Sequence, residues 1–125
     1  MSYDVYVLDS GPFSLAAHPK FSADSAKLKA WLAAMLVSGA RVVVPEVVEF
    51  EVRRELIRAR KSNSVARLDA LADRLGTLPV DRRVWRLASE LWAEARLQGT
   101  PTAPDPSLDA DAIIAAVARL ASEDG

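Results

Sequence analysis

Asp9 directly follows the apolar run Val5-Tyr6-Val7-Leu8, where a chain leaving a sheet can turn a side chain toward a crevice. It is also a good turn starter ahead of Ser10-Gly11-Pro12, and by itself either role accounts for it. On the helix that Pro45 can open, Glu51 lies about 60° from Val48 on the wheel, so it borders the stripe Val48, Val52, Leu56. Glu55 shares that edge one turn on, flanked by Arg54 and Arg58, and a solvated face of ion pairs explains such acids equally well. Asp109-Ala110-Asp111 precedes an alanine-rich stretch. Two residues apart is about 200° on a helix, so both acids cannot face one point if both are helical. Placing Asp109 outside as N-cap and Asp111 in the first turn, above Ile114 and Ala115, resolves this, and simple capping fits the pair too.

The chain has no Cys, which removes disulfides, thiolate nucleophiles and Cys-type metal sites. His18, the single histidine, stands beside Pro19 and reads as surface structure. Any metal must therefore be held by carboxylates, which selects a hard ion such as Mg2+ or Mn2+. No G-x-x-x-x-G-K-[ST] run occurs, and one His supports no Ser-His-acid arrangement.

The elements that must position these acids follow from pattern. Tyr3 to Leu8 reads as a buried strand stopped by an Asp9-to-Pro12 turn. Ser25 to Val37 repeats apolar residues at three- and four-residue steps and stops at Ser38-Gly39, a helix. Arg41 to Val44 is a second buried strand, and strand, helix, strand implies parallel pairing. The Pro45 helix follows, then a helix over Ser64 to Leu75 with Val65, Leu68, Leu71, Ala72 and Leu75 inward and Gly76 as its stop. Thr77 to Val80 is a short strand placed at a sheet edge by Pro79, which cannot donate to a ladder. Arg82 to Leu97 is a long helix with Trp85 and Trp92 as packing residues. Gly99 to Ser107 is a proline-rich loop, and Asp109 to Ala121 is the last helix. Trp31 is a packing residue that could stack a base if exposed. This order predicts an α/β fold, a mainly parallel sheet with helices on both faces in three layers. In such sheets ligands bind beyond the carboxyl ends of the strands, which is where Asp9 and the Glu51 helix fall.

The 125 residues fit one domain spanning 1–125, half apolar and 26% charged, which argues for a globular chain. Neither a secretory leader nor an apolar run of membrane-spanning length occurs, so a cytoplasmic protein without a membrane partner is expected. The net charge of -1 is unevenly spread: residues 41–100 carry twelve Arg or Lys against nine acids, and residues 101–125 carry Arg119 against five acids. A basic middle can hold a polyanion.

Three separated stretches together resemble the PIN-domain nucleases, in particular the VapC-type toxins of bacterial toxin-antitoxin pairs. VYVLDSGPFSL resembles the opening strand that ends in a metal-binding Asp followed by Ser or Thr, which falls on Asp9 and Ser10. RVVVPEVVEFEVRREL resembles the strand and helix in which a small residue or Pro is followed six positions later by an acidic ligand, here Glu51. LDADAIIAAVA resembles the D-x-x-I-A-A-x-A helix, fitted best by Asp111. The resemblance implies an endoribonuclease dependent on Mg2+ or Mn2+, with Asp9, Glu51 and Asp111 as metal ligands and catalytic residues, Ser10 supporting Asp9, and Asp109 as reserve ligand. Arg53, Arg54, Arg58, Arg60 and Lys61 become candidates for RNA contact, although Arg53 and Arg54 could equally pair with nearby acids. It further implies RNA as substrate, a small antitoxin protein as partner, and a homodimer.

Family members continue past this helix into another strand with a further polar or acidic site residue. The expectation is therefore a C-terminally truncated sheet lacking its last strand and leaving an open edge. A catalytically inactive PIN-like module that binds a protein is the second reading. A phosphoacceptor domain built on Asp9 ranks below both, for want of a paired early acid and an evident late Lys, and Gly11 two places after Asp9 disfavours haloacid-dehalogenase-type chemistry.

Overall fold

The computed structural model describes the backbone of residues 4–18, 22–98 and 105–124. In order these form β1 (Val5–Val7), α1 (Ser10–Ala17), α2 (Ala23–Val37), β2 (Arg41–Pro45), α3 (Glu46–Arg58), α4 (Ser62–Leu75), β3 (Thr77–Leu78), α5 (Arg82–Leu97) and α6 (Asp105–Asp124). The fold is α/β with parallel strands, as the pattern predicts. Two compact units divide it, Met1–Leu78 and Pro79–Gly125.

In the first unit β2 is the central strand, in the order β1-β2-β3, paired Val5↔Arg41 to Val7↔Val43 on one side and Val44↔Thr77 and Pro45↔Leu78 on the other. Val42, Val43 and Val44 are all buried, the continuous apolar run of a parallel strand covered on both faces. Each contributes about 1.5–3 kcal/mol of hydrophobic burial. The ladder runs on past β1, because the Leu8 amide donates to the Val43 carbonyl at 3.0 Å. That bond holds the residue before Asp9 against the core strand. β3 lies at the edge, where Pro79 ends it after two residues instead of four.

Sequence and structure differ most at residues 10–17. The Asp9-to-Pro12 stretch is not an extended turn but the start of α1. Asp9 is its N-cap, and Pro12 falls in the first turn, where a missing N–H costs nothing. Phe13 and Ala17, one turn apart, are its buried face. α2 begins two residues earlier than the pattern suggested, because Ser22 caps it by accepting from the Ser25 amide at 3.1 Å. The Ser25 hydroxyl in turn donates to the Leu15 carbonyl at 2.9 Å, tying α2 to α1. Trp31 is half-buried and meets the Tyr6 ring edge-on at 5.5 Å, so its role is packing.

α3 shows the expected stripe, with Val48 and Val52 buried and Leu56 half-buried. Pro45 is its N-cap and the last residue of β2. The helix ends in a Schellman arrangement: the Lys61 amide donates to Leu56 O at 2.9 Å and the Arg60 amide to Ile57 O at 3.0 Å. Arg60 takes the left-handed position with φ 58°, a place glycine fills at no steric cost. Arg60→Gly is therefore expected to stabilise the chain by about 1 kcal/mol, read as a higher Tm. A lower Tm would mean that the arginine side chain has contacts that outweigh its backbone strain.

α4 opens at Ser62, two residues before the expected start, and buries Ser64, Leu68 and Ala72; Val65, Leu71 and Leu75 are half-buried instead of enclosed. In the second unit α5 and α6 pack together, with Val84 and Ala88 buried on one helix and Ala112, Ala116 and Val117 on the other. Small side chains here allow close helix approach. Asp81 caps α5 by accepting from the Val84 amide at 3.1 Å. Trp85, expected to pack, is 53% exposed, whereas Trp92 is half-buried beneath the Arg96 guanidinium, 4.4 Å from its ring centroid. α6 starts at Asp105, so Asp109 is inside the helix and not its N-cap. Residues 99–104 of the expected loop lie outside the described residues. Among the described residues no helix is long and apolar enough to cross a membrane.

Candidate functional site

The carboxyl ends of β1 and β2 deliver Asp9 and α3 to the same end of the first unit's sheet, since the two strands run parallel and in register. Asp9 is exposed, and its carboxylate is fixed locally: the Ser10 amide donates to Oδ1 at 2.7 Å, with the Ser10 hydroxyl 3.5 Å from the same oxygen. The contact from Ser10 to Asp9 is made chiefly by the Ser10 backbone amide.

Glu51 is half-buried at the border of the α3 stripe, where the wheel puts it, and its Oε1 is shielded from solvent. A pocket of about 340 Å3 opens between the two helices. Ser10, Gly11 and Ser14 form its α1 wall; Glu51, Val52, Arg54, Glu55 and Leu56 form its α3 wall. The first two predicted stretches, sequence-distant by some forty residues, are therefore brought to one cleft.

Asp111 lies in the second unit, exposed, near the middle of the first half of α6. Asp109 shares that helix two residues before Asp111. The sequence expectation that capping frees them from this conflict is overturned by the longer helix. The Asp109 side chain itself lies outside the described residues.

Oxygen donors from Asp9, Ser10 and Glu51 have the hardness that Mg2+ or Mn2+ takes. Among the described residues, however, no group of three or more acids or histidines is gathered into a metal cage. Of these donors Ser10 and Glu51 line the cleft, and Asp9 is the residue before Ser10; their oxygen chemistry is of the kind a hard divalent ion takes.

The five basic candidates separate by partner. Arg53 is turned inward along the helix surface, pairing with Glu49 at 2.8 Å and with Asp69 of α4. Its hydrogen bonds to Asp69 and then Glu49 hold its pKa above the ordinary arginine value. Arg53 is thus a brace between α3 and α4, the internal pairing that the sequence left open. Arg58 meets Glu55 at 2.6 Å, both exposed, and the hydrogen bond from Arg58 lowers the Glu55 pKa. Arg54 lies 5.3 Å from the Phe50 ring centroid and on the cleft wall. Among the described residues no carboxylate pairs with Arg60 or Lys61.

Ser14 and Gly11 are cleft residues that pattern reading missed, because it placed no helix after Asp9. The available signal was an Asp N-cap followed by Pro within one turn.

Searches of curated proteins and of solved structures returned no match. The scan against protein families matched the PIN domain over residues 6–124, almost the whole length and both units. With the parallel strand order and the acid-bearing cleft at the carboxyl ends of β1 and β2, this match places the chain in the PIN-domain family.

Proposed function

We propose that this chain is a metal-dependent endoribonuclease that hydrolyses RNA phosphodiester bonds in the cytoplasm, as the toxin of a toxin-antitoxin pair. PIN domains are generally nucleases acting on nucleic acids. The observation that carries the reading is the cleft shared by Ser10, next to Asp9, and Glu51. VapC-like character, a small antitoxin partner and a homodimer belong to this proposal through the resemblance of the three motif stretches.

In this reading Asp9, Glu51 and Asp111 hold Mg2+ or Mn2+, directly or through water. A divalent ion supplies a nucleophilic water near neutral pH and offsets charge on the phosphate oxygens. The residues do the positioning. The Ser10 amide occupies one oxygen of Asp9 and orients the carboxylate, leaving the second oxygen for a cation. Glu51 is half-buried, so it would lose few rotamers on holding an ion. Arg54 lines the same wall, and its planar guanidinium would suit a phosphate.

A second reading is a PIN-like protein-binding module without turnover, whose surface would be the cleft walled by α1 and α3. Incubation with single-stranded RNA separates the two. The nuclease reading expects cleavage that stops with EDTA and returns on adding Mg2+ or Mn2+. Cleavage indifferent to chelator would remove the metal mechanism, and no cleavage with either ion would leave the binding module.

A further inference from the structure

A second cavity, of about 390 Å3, adjoins the cleft. The two share Ser14, Val52 and Leu56, so they form one groove along α3. From Glu51 to the end of α3 at Arg58 the helix rises roughly 10 Å, and Arg60 lies two residues beyond it. Its floor is apolar, from Ala17, Val52 and Leu56, and its far end is polar and cationic, with Arg60, Lys61 and Asn63 on the rim. Apolar floor and cationic rim suit one kind of occupant, a chain of flat apolar faces joined by anionic links.

Two features distinguish this rim from an ordinary solvated surface. Arg60 and Lys61, just past the end of α3, have no carboxylate partner among the described residues, whereas Arg53, Arg54 and Arg58 on the helix each have a counter-charge or an aromatic face. Arg60 also occupies a left-handed backbone position where glycine would be cheaper, so its side chain is retained at a conformational cost.

We propose that this extension of the groove seats the nucleotides flanking the scissile bond of a single-stranded substrate, with a base over Val52 and Leu56 and a phosphate between Arg60 and Lys61. The inference rests on the nuclease reading for the identity of the strand, and it adds a binding subsite outside the carboxylate cleft. A single nucleotide held at Glu51 cannot reach the rim; a short strand can.

The test uses the full chain carrying Asp9→Asn, so that a labelled single-stranded oligoribonucleotide survives, with Kd measured across a salt series. Adding Arg60→Gly and Lys61→Ala together is expected to weaken binding several-fold and to reduce the slope of log Kd against log salt by about 1.4, two phosphate contacts at about 0.7 each. Arg60→Gly keeps the helix terminus and should not lower Tm, so lost binding is not lost folding. Unchanged Kd and slope would overturn the subsite. So would an acidic peptide competing as strongly as the oligonucleotide, which would assign the rim to a protein partner. Cleavage by the otherwise unaltered chain is read separately, with and without EDTA. A flattened slope without metal-dependent cleavage would keep the groove and reject the nuclease; metal-dependent cleavage with an unchanged slope would do the reverse.

Discussion

Asp9→Asn, Glu51→Gln and Asp111→Asn are each expected to lower RNA cleavage by at least about 100-fold and to weaken Mn2+ binding in calorimetric titration. The scale follows from metal sites generally, where even groups behind the ligands are worth about 10- to 100-fold. All three changes keep side-chain volume and remove one negative charge. The fold should survive each for a different reason. Asn is as good an N-cap as Asp, so α1 keeps its start when Asp9 is replaced. Glu51 borders the α3 stripe without being part of it, and its neighbours Val48 and Val52 carry the packing. Asp111 is exposed on α6, where substitutions usually cost within about 0.5 kcal/mol. Circular dichroism and Tm should therefore match the parent while activity falls. Wild-type ion binding in all three variants would contradict the shared metal site. An inert Asp111→Asn beside two damaged cleft variants would remove Asp111 from the ligand set.

The parts of this site legible in sequence are those whose signal is local and periodic. Val42 to Val44 read as a buried strand because nothing polar interrupts them, and Val48, Val52 and Leu56 read as a helix face because their spacing repeats. Once that stripe is fixed, the place of Glu51 at its edge follows from the wheel alone. α1 was hidden for the opposite reason. It is two turns long and starts with Ser-Gly-Pro, three residues whose local preference is a turn. Tertiary burial of Phe13 and Ala17 outweighs that preference, and an eight-residue amphipathic signal is too short to announce it. The start of α6 was misplaced because Pro104 to Ser107 reads as loop, whereas Pro106 falls in the first turn of the helix. The consequence reached the site, since Asp109 could act as a cap only if the helix began after it.

The basic residues show where sequence stops. Arg53, Arg54, Arg58, Arg60 and Lys61 are equivalent as a charge run, and the helix dipole favours them all alike. Only packing sorts them. Asp69 comes from the next helix to engage Arg53, Glu55 engages Arg58 from one turn back, and Phe50 lies under Arg54. Arg60 and Lys61 stand past the end of α3, beyond the reach of the helix's own acids. Their availability is a product of the Schellman turn, which no count of charges reveals.

Phe13→Ala is expected to destabilise the chain by about 3–5 kcal/mol, the usual cost of truncating a fully buried aromatic. Phe13 is among the largest completely enclosed side chains, on a helix that packs against α2, α3 and α4. Against a typical total of about 5–15 kcal/mol, this removes a large part of the folding free energy. Urea denaturation should show an earlier midpoint, and a loss below about 1 kcal/mol would mean that the neighbouring helices collapse into the space. The effect on function should differ in kind from that of Asp9→Asn. The Phe13 amide donates to the Asp9 carbonyl at 3.0 Å, closing the first turn of α1, so the same residue anchors the core and the start of the cleft wall. Cleavage by Phe13→Ala should therefore fall in step with the unfolded fraction as temperature rises and recover on cooling, whereas Asp9→Asn should be inactive at every temperature at which it is folded. Equal losses of activity in the two variants at low temperature, where both are folded, would show that α1 controls the cleft through its position more than through its carboxylate cap.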